Sequence, residues 1–123
     1  MSNDRDIPGL DKPFSLPQGI SPEPEATKAM NQMSFGLGTD CSEIAENILI
    51  ATGGKGKILR VEPVEGYRLT LLEGDKLEEN LFIYHEVYTD GYYIFDPRLN
   101  PYPIFLEEWE TLIKFLNPQA KIT

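Results

Sequence analysis

The chain holds a single cysteine and a single histidine, and an aspartate follows them in the order Cys41, His85, Asp96. In that order they can supply a thiol nucleophile, its general base and the carboxylate that orients the base. A thiol attacks carbonyl carbon as its thiolate, and a helix start and a protonated histidine both favour that form. The three residue types therefore predict nucleophilic catalysis by Cys41.

The segment 84–98 predicts how the histidine and the aspartate meet. It contains an Asp90-Gly91 pair between two strand-like stretches, which is a strong signal for a β-hairpin with a two-residue loop. In that register His85 lies directly opposite Asp96, with Cβ atoms about 4.5–5.5 Å apart on one face. A carboxylate on one ring nitrogen leaves the other nitrogen for the thiol. A three-residue loop would instead shift the pairing by one residue and separate the pair.

The cysteine has the best helix start in the chain. Asp40 precedes it and Glu43 follows Asp40 by three residues, which is a capping-box pattern. Apolar residues then recur at helical spacing, namely Ile44, Ala45, Ile48 and Leu49. Gly53-Gly54 ends the helix. Cys41 is thus predicted at the first helical position, beside unpaired backbone N–H groups.

An oxyanion needs hydrogen-bond donors, and the backbone N–H of Cys41 is the natural first one. Gln32 is the candidate for the second donor, with Asn31 and the more distant Gln18 as alternatives. The sequence does not choose among these amides. For each of them a surface position is the competing interpretation.

Two charged residues flank the predicted pair. Arg98 follows Asp96 by two residues, so it either helps to keep that carboxylate ionised or lies on the surface. Glu86 falls on the opposite strand face, and an aromatic row there is typical of core packing. That row comprises Phe82, Tyr84, Tyr88, Tyr93 and Phe95.

The remaining patterns predict a small α+β domain in which the Cys41 helix packs on an antiparallel sheet and a C-terminal helix follows. Strands are predicted at 58–61, 67–72, 81–88 and 92–96, and the prolines of 97–103 end the sheet. Helices are predicted at 26–33, capped by Ser21 or Thr27 and broken at 36–38, and at 105–116. The proline-rich stretch 1–25 is predicted to be an arm or linker over the domain 26–123.

Composition excludes several classes of function. The formal net charge of −9 argues against nucleic acid or an anionic membrane as the main partner. One cysteine and one histidine are too few for a zinc site of soft ligands, so no metal and no cofactor is predicted. No secretory signal and no apolar stretch of about 20 residues is visible, which favours a cytoplasmic location in the producing or target cell.

Together these stretches resemble the papain-like superfamily, and their compact spacing is similar to the papain-fold toxin domains of bacterial polymorphic toxins. The matching segments are 39–41 with the helix after it, 84–88 and 93–98, and the resemblance spans about residues 30–118. It implies a cysteine hydrolase or acyl-transfer enzyme that attacks a protein amide through Cys41, His85 and Asp96. Proteolysis, glutamine deamidation and transglutamination share this triad and stay open. An immunity protein is the partner that the resemblance implies.

A second hypothesis belongs to a different class. The chain is then a non-catalytic α+β binding module in which His85 and Asp96 form a structural pair, as lone buried histidines often do. Its acidic surface would bind a basic partner. The reactivity of Cys41 distinguishes the two hypotheses, because a buried structural thiol reacts poorly.

Overall fold

The computed structural model describes residues 6–33 and 40–123. Within that part of the chain lie three α-helices and seven β-strands, and the predicted α+β class is confirmed. The helices are α1 (Pro24–Gln32), α2 (Cys41–Ala51) and α3 (Leu106–Leu116). The strands are β1 (Lys57–Glu62), β2 (Leu69–Glu73), β3 (Lys76–Phe82), β4 (His85–Thr89), β5 (Tyr93–Phe95), β6 (Ile104–Phe105) and β7 (Lys121–Ile122). The predicted helix break at 36–38 lies outside the described residues.

Five of the strands form an antiparallel sheet in the order β6-β5-β4-β1-β7, and β2 and β3 form a separate hairpin. The strand that carries His85 is therefore the middle strand. His85 pairs with Val61 of β1 at one end of that ladder. Among the described helices, none has the length and apolar composition needed to cross a bilayer.

The two faces of β4 contact different cores, because successive strand residues point to opposite sides. Val87 belongs to the core built around α3, β2 and Trp109. Tyr88 belongs to a second core that includes Ile48 of α2 and Phe95. The predicted aromatic core is thus observed for Tyr88, Tyr93 and Phe95, which are fully buried. The middle strand is held from both sides, which fixes the backbone around His85.

The predicted register of the hairpin is wrong by two residues. Thr89 pairs with Ile94 and Tyr88 with Phe95, and residues 90–92 connect the two strands. The reason lies in Asp90, whose Oδ1 accepts the backbone N–H groups of Tyr92 and Tyr93 at 2.9 and 2.8 Å and organises a wider turn. A shift of two residues preserves the strand face, whereas a shift of one would exchange it.

Several element boundaries also differ from prediction. α1 begins at Pro24 and its N-cap is Glu23, whose carboxylate accepts the Ala26 N–H at 2.8 Å, in place of the expected Ser21 or Thr27. The predicted strand 81–88 is divided between β3 and β4. The sheet also continues beyond the prolines, since β6 and β7 add one strand at each edge.

The proline-rich stretch packs along the domain in residues 6–23. Phe14 is buried in the larger core, and its carbonyl accepts a hydrogen bond from the Tyr102 hydroxyl at 2.9 Å. Ser15 donates its backbone N–H and its hydroxyl to the carboxylate of Glu108, at 3.0 and 2.6 Å. These contacts tie the arm to α3 and to the loop before it.

Candidate functional site

The start of α2 places the thiol. Asp40 is the N-cap, and its Oδ1 accepts the backbone N–H of Glu43 at 2.9 Å, as the capping pattern predicts. Cys41 is the first helical residue, half-buried and with a free thiol. Ile44 and Ile48 are buried one and two turns further on, and they anchor the helix against β4.

His85 and Asp96 form a buried pair. The His85 Nε2 lies 3.0 Å from the Asp96 Oδ2, and each residue is only 8% exposed. The Asp96 residue follows β5 directly, and its other oxygen accepts the backbone N–H of Arg98 at 3.2 Å. Because Asp96 occupies Nε2, the imidazole has Nδ1 left for a second partner.

The surroundings of His85 decide its charge. Burial alone would lower the pKa of the imidazole, but hydrogen bonds to Asp96 and to Cys41 outweigh burial and raise the pKa from 6.5 to about 10. The negative charge of the Asp96 carboxylate acts in the same direction. His85 is therefore an imidazolium at neutral pH, held between the Cys41 sulfur and the Asp96 carboxylate.

The structure thus brings together the three residues named from the sequence, Cys41, His85 and Asp96. It does not bring Gln32 to them. Gln32 is exposed at the end of α1 and lines a different groove, together with the alternative donor Asn31. The carbonyl of Gln18 accepts a hydrogen bond from Tyr93, on a further part of the surface. None of these three amides is among the described residues that line the groove around Cys41.

A polar network beside the cysteine was missed by sequence reasoning. Ser42 donates its hydroxyl to Glu86 Oε1 at 2.8 Å, and its oxygen lies 3.0 Å from the Tyr84 hydroxyl. Because the single Ser42 proton goes to the carboxylate, Tyr84 is the donor to Ser42. Arg60 completes the network, with Nη1 2.9 Å from Glu86 Oε2 and its guanidinium 4.1 Å from the Tyr84 ring centroid.

The network explains why Glu86 occurs among aromatic residues on this strand face. It joins the first turn of α2 to β4 and β1 and thereby fixes the position of Cys41 relative to His85. The only hint of this network in the sequence was Glu86 itself, a charged residue within a row of aromatic residues. Its partners Ser42 and Arg60 belong to distant segments, and no local pattern connects them.

Cys41 and His85 lie in an open groove of about 440 Å³, here called the thiol groove. Its walls combine apolar residues of the β3 end with charged residues of both signs. The lining residues are Asp40, Cys41, Arg68, Glu73, Leu81, Phe82, Ile83, Tyr84, His85 and Arg98. Arg98 is half-buried in this wall.

A small cavity lies behind the pair, lined by His85, Asp96 and Trp109 among others. Trp109 is fully buried, and its Nε1 has no hydrogen-bond partner within the part of the chain that the structure describes. Most of the other residues that line this cavity are apolar, so the pair lies in a region of low polarity, where electrostatic interactions are stronger than in water. In residues 6–33 and 40–123, no group of three or more acidic, histidine or cysteine side chains is arranged to hold a metal ion.

Comparisons of this chain with protein-family models, with curated proteins and with solved structures found no significant match.

Proposed function

We propose that this protein is a papain-like cysteine hydrolase or acyl-transfer enzyme of the peptidase or glutamine deamidase type. It acts on an amide of a protein substrate, as a bacterial toxin effector domain. The observation that carries the proposal is the 3.0 Å contact between His85 and Asp96 at the wall of an open groove that Cys41 also lines. Structural histidine–aspartate pairs need neither a thiol beside them nor access to solvent.

The arrangement supports a conventional thiol mechanism. The thiolate sulfur of Cys41 bonds to the carbonyl carbon, and the carbonyl π electrons move to the oxygen. The Cys41 N–H at the helix start is the first donor to that oxyanion. As the C–N bond breaks, the imidazolium proton passes to the leaving nitrogen. Water then gives its proton to His85 and its oxygen to the acyl carbon, which releases the acid and restores the thiolate–imidazolium pair.

Asp96 has the orienting part in this mechanism. Its carboxylate engages Nε2, so Nδ1 is the ring nitrogen that serves Cys41. Its charge also stabilises the imidazolium before attack. The network of Ser42, Glu86, Tyr84 and Arg60 contributes by positioning, because it holds the helix start without lying between the reacting groups.

One observation favours the second candidate, a binding module with a structural pair. His85 and Asp96 are both 8% exposed, and burial of this degree is usual for pairs that only stabilise a fold. The partly exposed thiol beside them favours the enzyme. In the toxin setting that the resemblance implies, an immunity protein would bind over the thiol groove and block it.

The test is the rate of Cys41 alkylation by iodoacetamide between about pH 5 and pH 9, followed by intact mass. The enzyme hypothesis expects rapid labelling below pH 7 that falls at least about tenfold in His85→Gln. Equal labelling of the two proteins at every pH would reject it and leave the binding module. Incubation with a denatured bacterial proteome, with Cys41→Ala as control, then separates cleavage from deamidation by mass spectrometry.

A further inference from the structure

The thiol groove continues into a second groove across the β2–β3 hairpin. This distal groove has a volume of about 260 Å³ and lies between Val64 and Tyr67 on one side and residues 116–120 on the other. Arg68 lines both grooves. The strand β3 also passes from one to the other, since Asn80 lines the distal groove and Leu81 the thiol groove. The two are neighbours on one surface.

Exposed apolar side chains mark the whole path. Ile83 and Leu81 in the thiol groove are 62% and 55% exposed, and Tyr67 and Val64 in the distal groove are 72% and 40% exposed. Single exposed apolar residues are normal on protein surfaces, but these four line two grooves that share Arg68. Because one of the grooves contains the thiol, their natural occupant is the molecule whose amide the thiol attacks.

Charge specifies that occupant further. The protein carries a net charge of −9, yet the residue at the junction of the two grooves is an arginine. Arg68 is exposed, and among the described residues it takes part in no ion pair. Near Cys41 the thiol groove has charges of both signs, from Glu73, His85 and Arg98. Arg68 is the cation that both grooves share, so an anionic side chain of an occupant that spans the two grooves is attracted to the junction.

An occupant that fills both grooves extends from Cys41 past Arg68 to Tyr67. An extended polypeptide, which advances about 3.3 Å per residue, presents successive side chains along such a path. We propose that the substrate is a polypeptide segment bound along both grooves, with an acidic residue at Arg68 and an apolar side chain against Tyr67. This inference rests on the proposed hydrolase function and names the substrate class of the same site.

Peptides with an electrophile on a central side chain test it without knowledge of the natural substrate. Each peptide carries an acrylamide on a central diaminopropionic acid, and the Cys41 thiolate adds to its terminal carbon while the adjacent carbon takes a proton. A short peptide is compared with peptides extended on either side by aspartate and phenylalanine, and with matched peptides that carry lysine for aspartate. The rate of Cys41 labelling is followed by intact mass.

One of the two aspartate peptides should label Cys41 about tenfold faster than the short and lysine peptides, a difference of about 1.4 kcal/mol. Arg68→Gln should remove this advantage and Tyr67→Ala should reduce it, whereas Lys121→Gln, an exposed cation outside both grooves, should retain it. In Lys121→Gln the rate with iodoacetamide should stay unchanged, and the peptide rates of Arg68→Gln and Tyr67→Ala are each divided by the iodoacetamide rate of the same variant, so that any change in the thiol itself cancels.

Equal labelling by all peptides in the parent protein, with iodoacetamide labelling still dependent on His85, would overturn the peptide proposal and leave the hydrolase standing. An advantage that survives Arg68→Gln would overturn the peptide proposal in the same way. If iodoacetamide labelling does not depend on His85, the hydrolase itself fails, and the substrate proposal falls with it.

Discussion

Asp96 reaches His85 diagonally across the hairpin, since the register that pairs Tyr88 with Phe95 continues to a position for Asp96 opposite Val87. The 3.0 Å contact between the two side chains is made on the face they share, two residues out of direct opposition. Diagonal neighbours on a sheet face are separated by about 7–8 Å between backbones, which side chains of this length can span. His85 and Asp96 can therefore make contact in registers that differ by two residues, because both side chains then stay on the same face of the sheet.

The pH dependence of stability should report this pair. The pKa of His85 is raised from 6.5 to about 10, so the folded state binds the proton more tightly than the unfolded chain. The resulting stabilisation is complete below pH 6.5 and is lost as the pH rises towards 10. The free energy of unfolding, measured in urea, should fall by a few kcal/mol over that interval. In Asp96→Asn the decline should be much smaller, and parallel curves for the two proteins would contradict the assignment.

The Ser42 network should affect both stability and thiol reactivity. Ser42→Ala should lower the free energy of unfolding by about 1 kcal/mol, since it leaves Glu86 with one hydrogen bond fewer. The ion pair with Arg60 adds little, because Arg60 is 40% exposed. Cys41 alkylation at neutral pH should slow, while Ser21→Ala, at an exposed position, serves as control. A loss of stability with unchanged alkylation would show that the network does not position the thiol.

The Asp40 N-cap of α2 can be tested independently of the other predictions. Asp40→Ala removes the acceptor of the Glu43 N–H and should destabilise the protein by about 1 kcal/mol in thermal or urea unfolding. Asp40→Asn keeps an acceptor oxygen at the same place and should recover most of that loss. Failure of asparagine to recover it would mean that the charge, and not the hydrogen bond, stabilises the start of α2.

Gly56 and Gly54 form a matched pair in the turn after α2. Both have a φ of +90°, but a Cβ on Gly56 would lie 2.5 Å from the Thr89 carbonyl oxygen, whereas a Cβ on Gly54 meets nothing within 4 Å. Gly54→Ala should therefore cost about 1 kcal/mol of conformational strain. Gly56→Ala should cost clearly more, because the carbonyl belongs to the middle strand. Calorimetric melting of the two variants measures the difference, and equal melting temperatures would refute the close approach.

Phe14 tests whether the proline-rich arm is part of the domain. It is 7% exposed, and Phe14→Ala should destabilise the protein by about 3–5 kcal/mol. Leu16 in the same stretch is 68% exposed, so Leu16→Ala should change the free energy of unfolding by less than about 0.5 kcal/mol. Similar values for the two variants would mean that the arm contributes nothing to the core in solution.

The parts of the fold that the sequence predicted well are those with local causes. The start of α2 at Cys41 follows from the Asp40 cap, and α3 was placed within one residue because Trp109 and Leu112 lie at helical spacing. The strands β6 and β7 were missed because each has two residues and forms only through pairing with a distant partner. A strand of two residues is too short to show the alternation of apolar and polar residues by which strands are predicted.

At the candidate site, the sequence predicted that His85 and Asp96 lie close together, but it did so from a strand register that the structure does not have. The Asp90 side chain widens the turn by two residues, and no rule based on the Asp-Gly pair alone contains that effect. His85 and Asp96 still lie on the same strand face, because a register shift of two residues does not exchange the faces. The position of Gln32 in a different groove from Cys41 could not be found from spacing, since it depends on how α1 packs.

The hydrogen bonds from Ser15 to Glu108 join segments 93 residues apart. Contacts of such long range form late, because they require the closure of a very large loop. During synthesis the arm would leave the ribosome with its partner α3 still unmade, and Phe14 would stay uncovered until nearly the whole described chain had emerged. The residues of the thiol groove are all made before α3. A chaperone or a slow translation step between residues 98 and 106 would therefore act on a nascent chain in which Cys41, His85 and Asp96 are already made but the main core is still open.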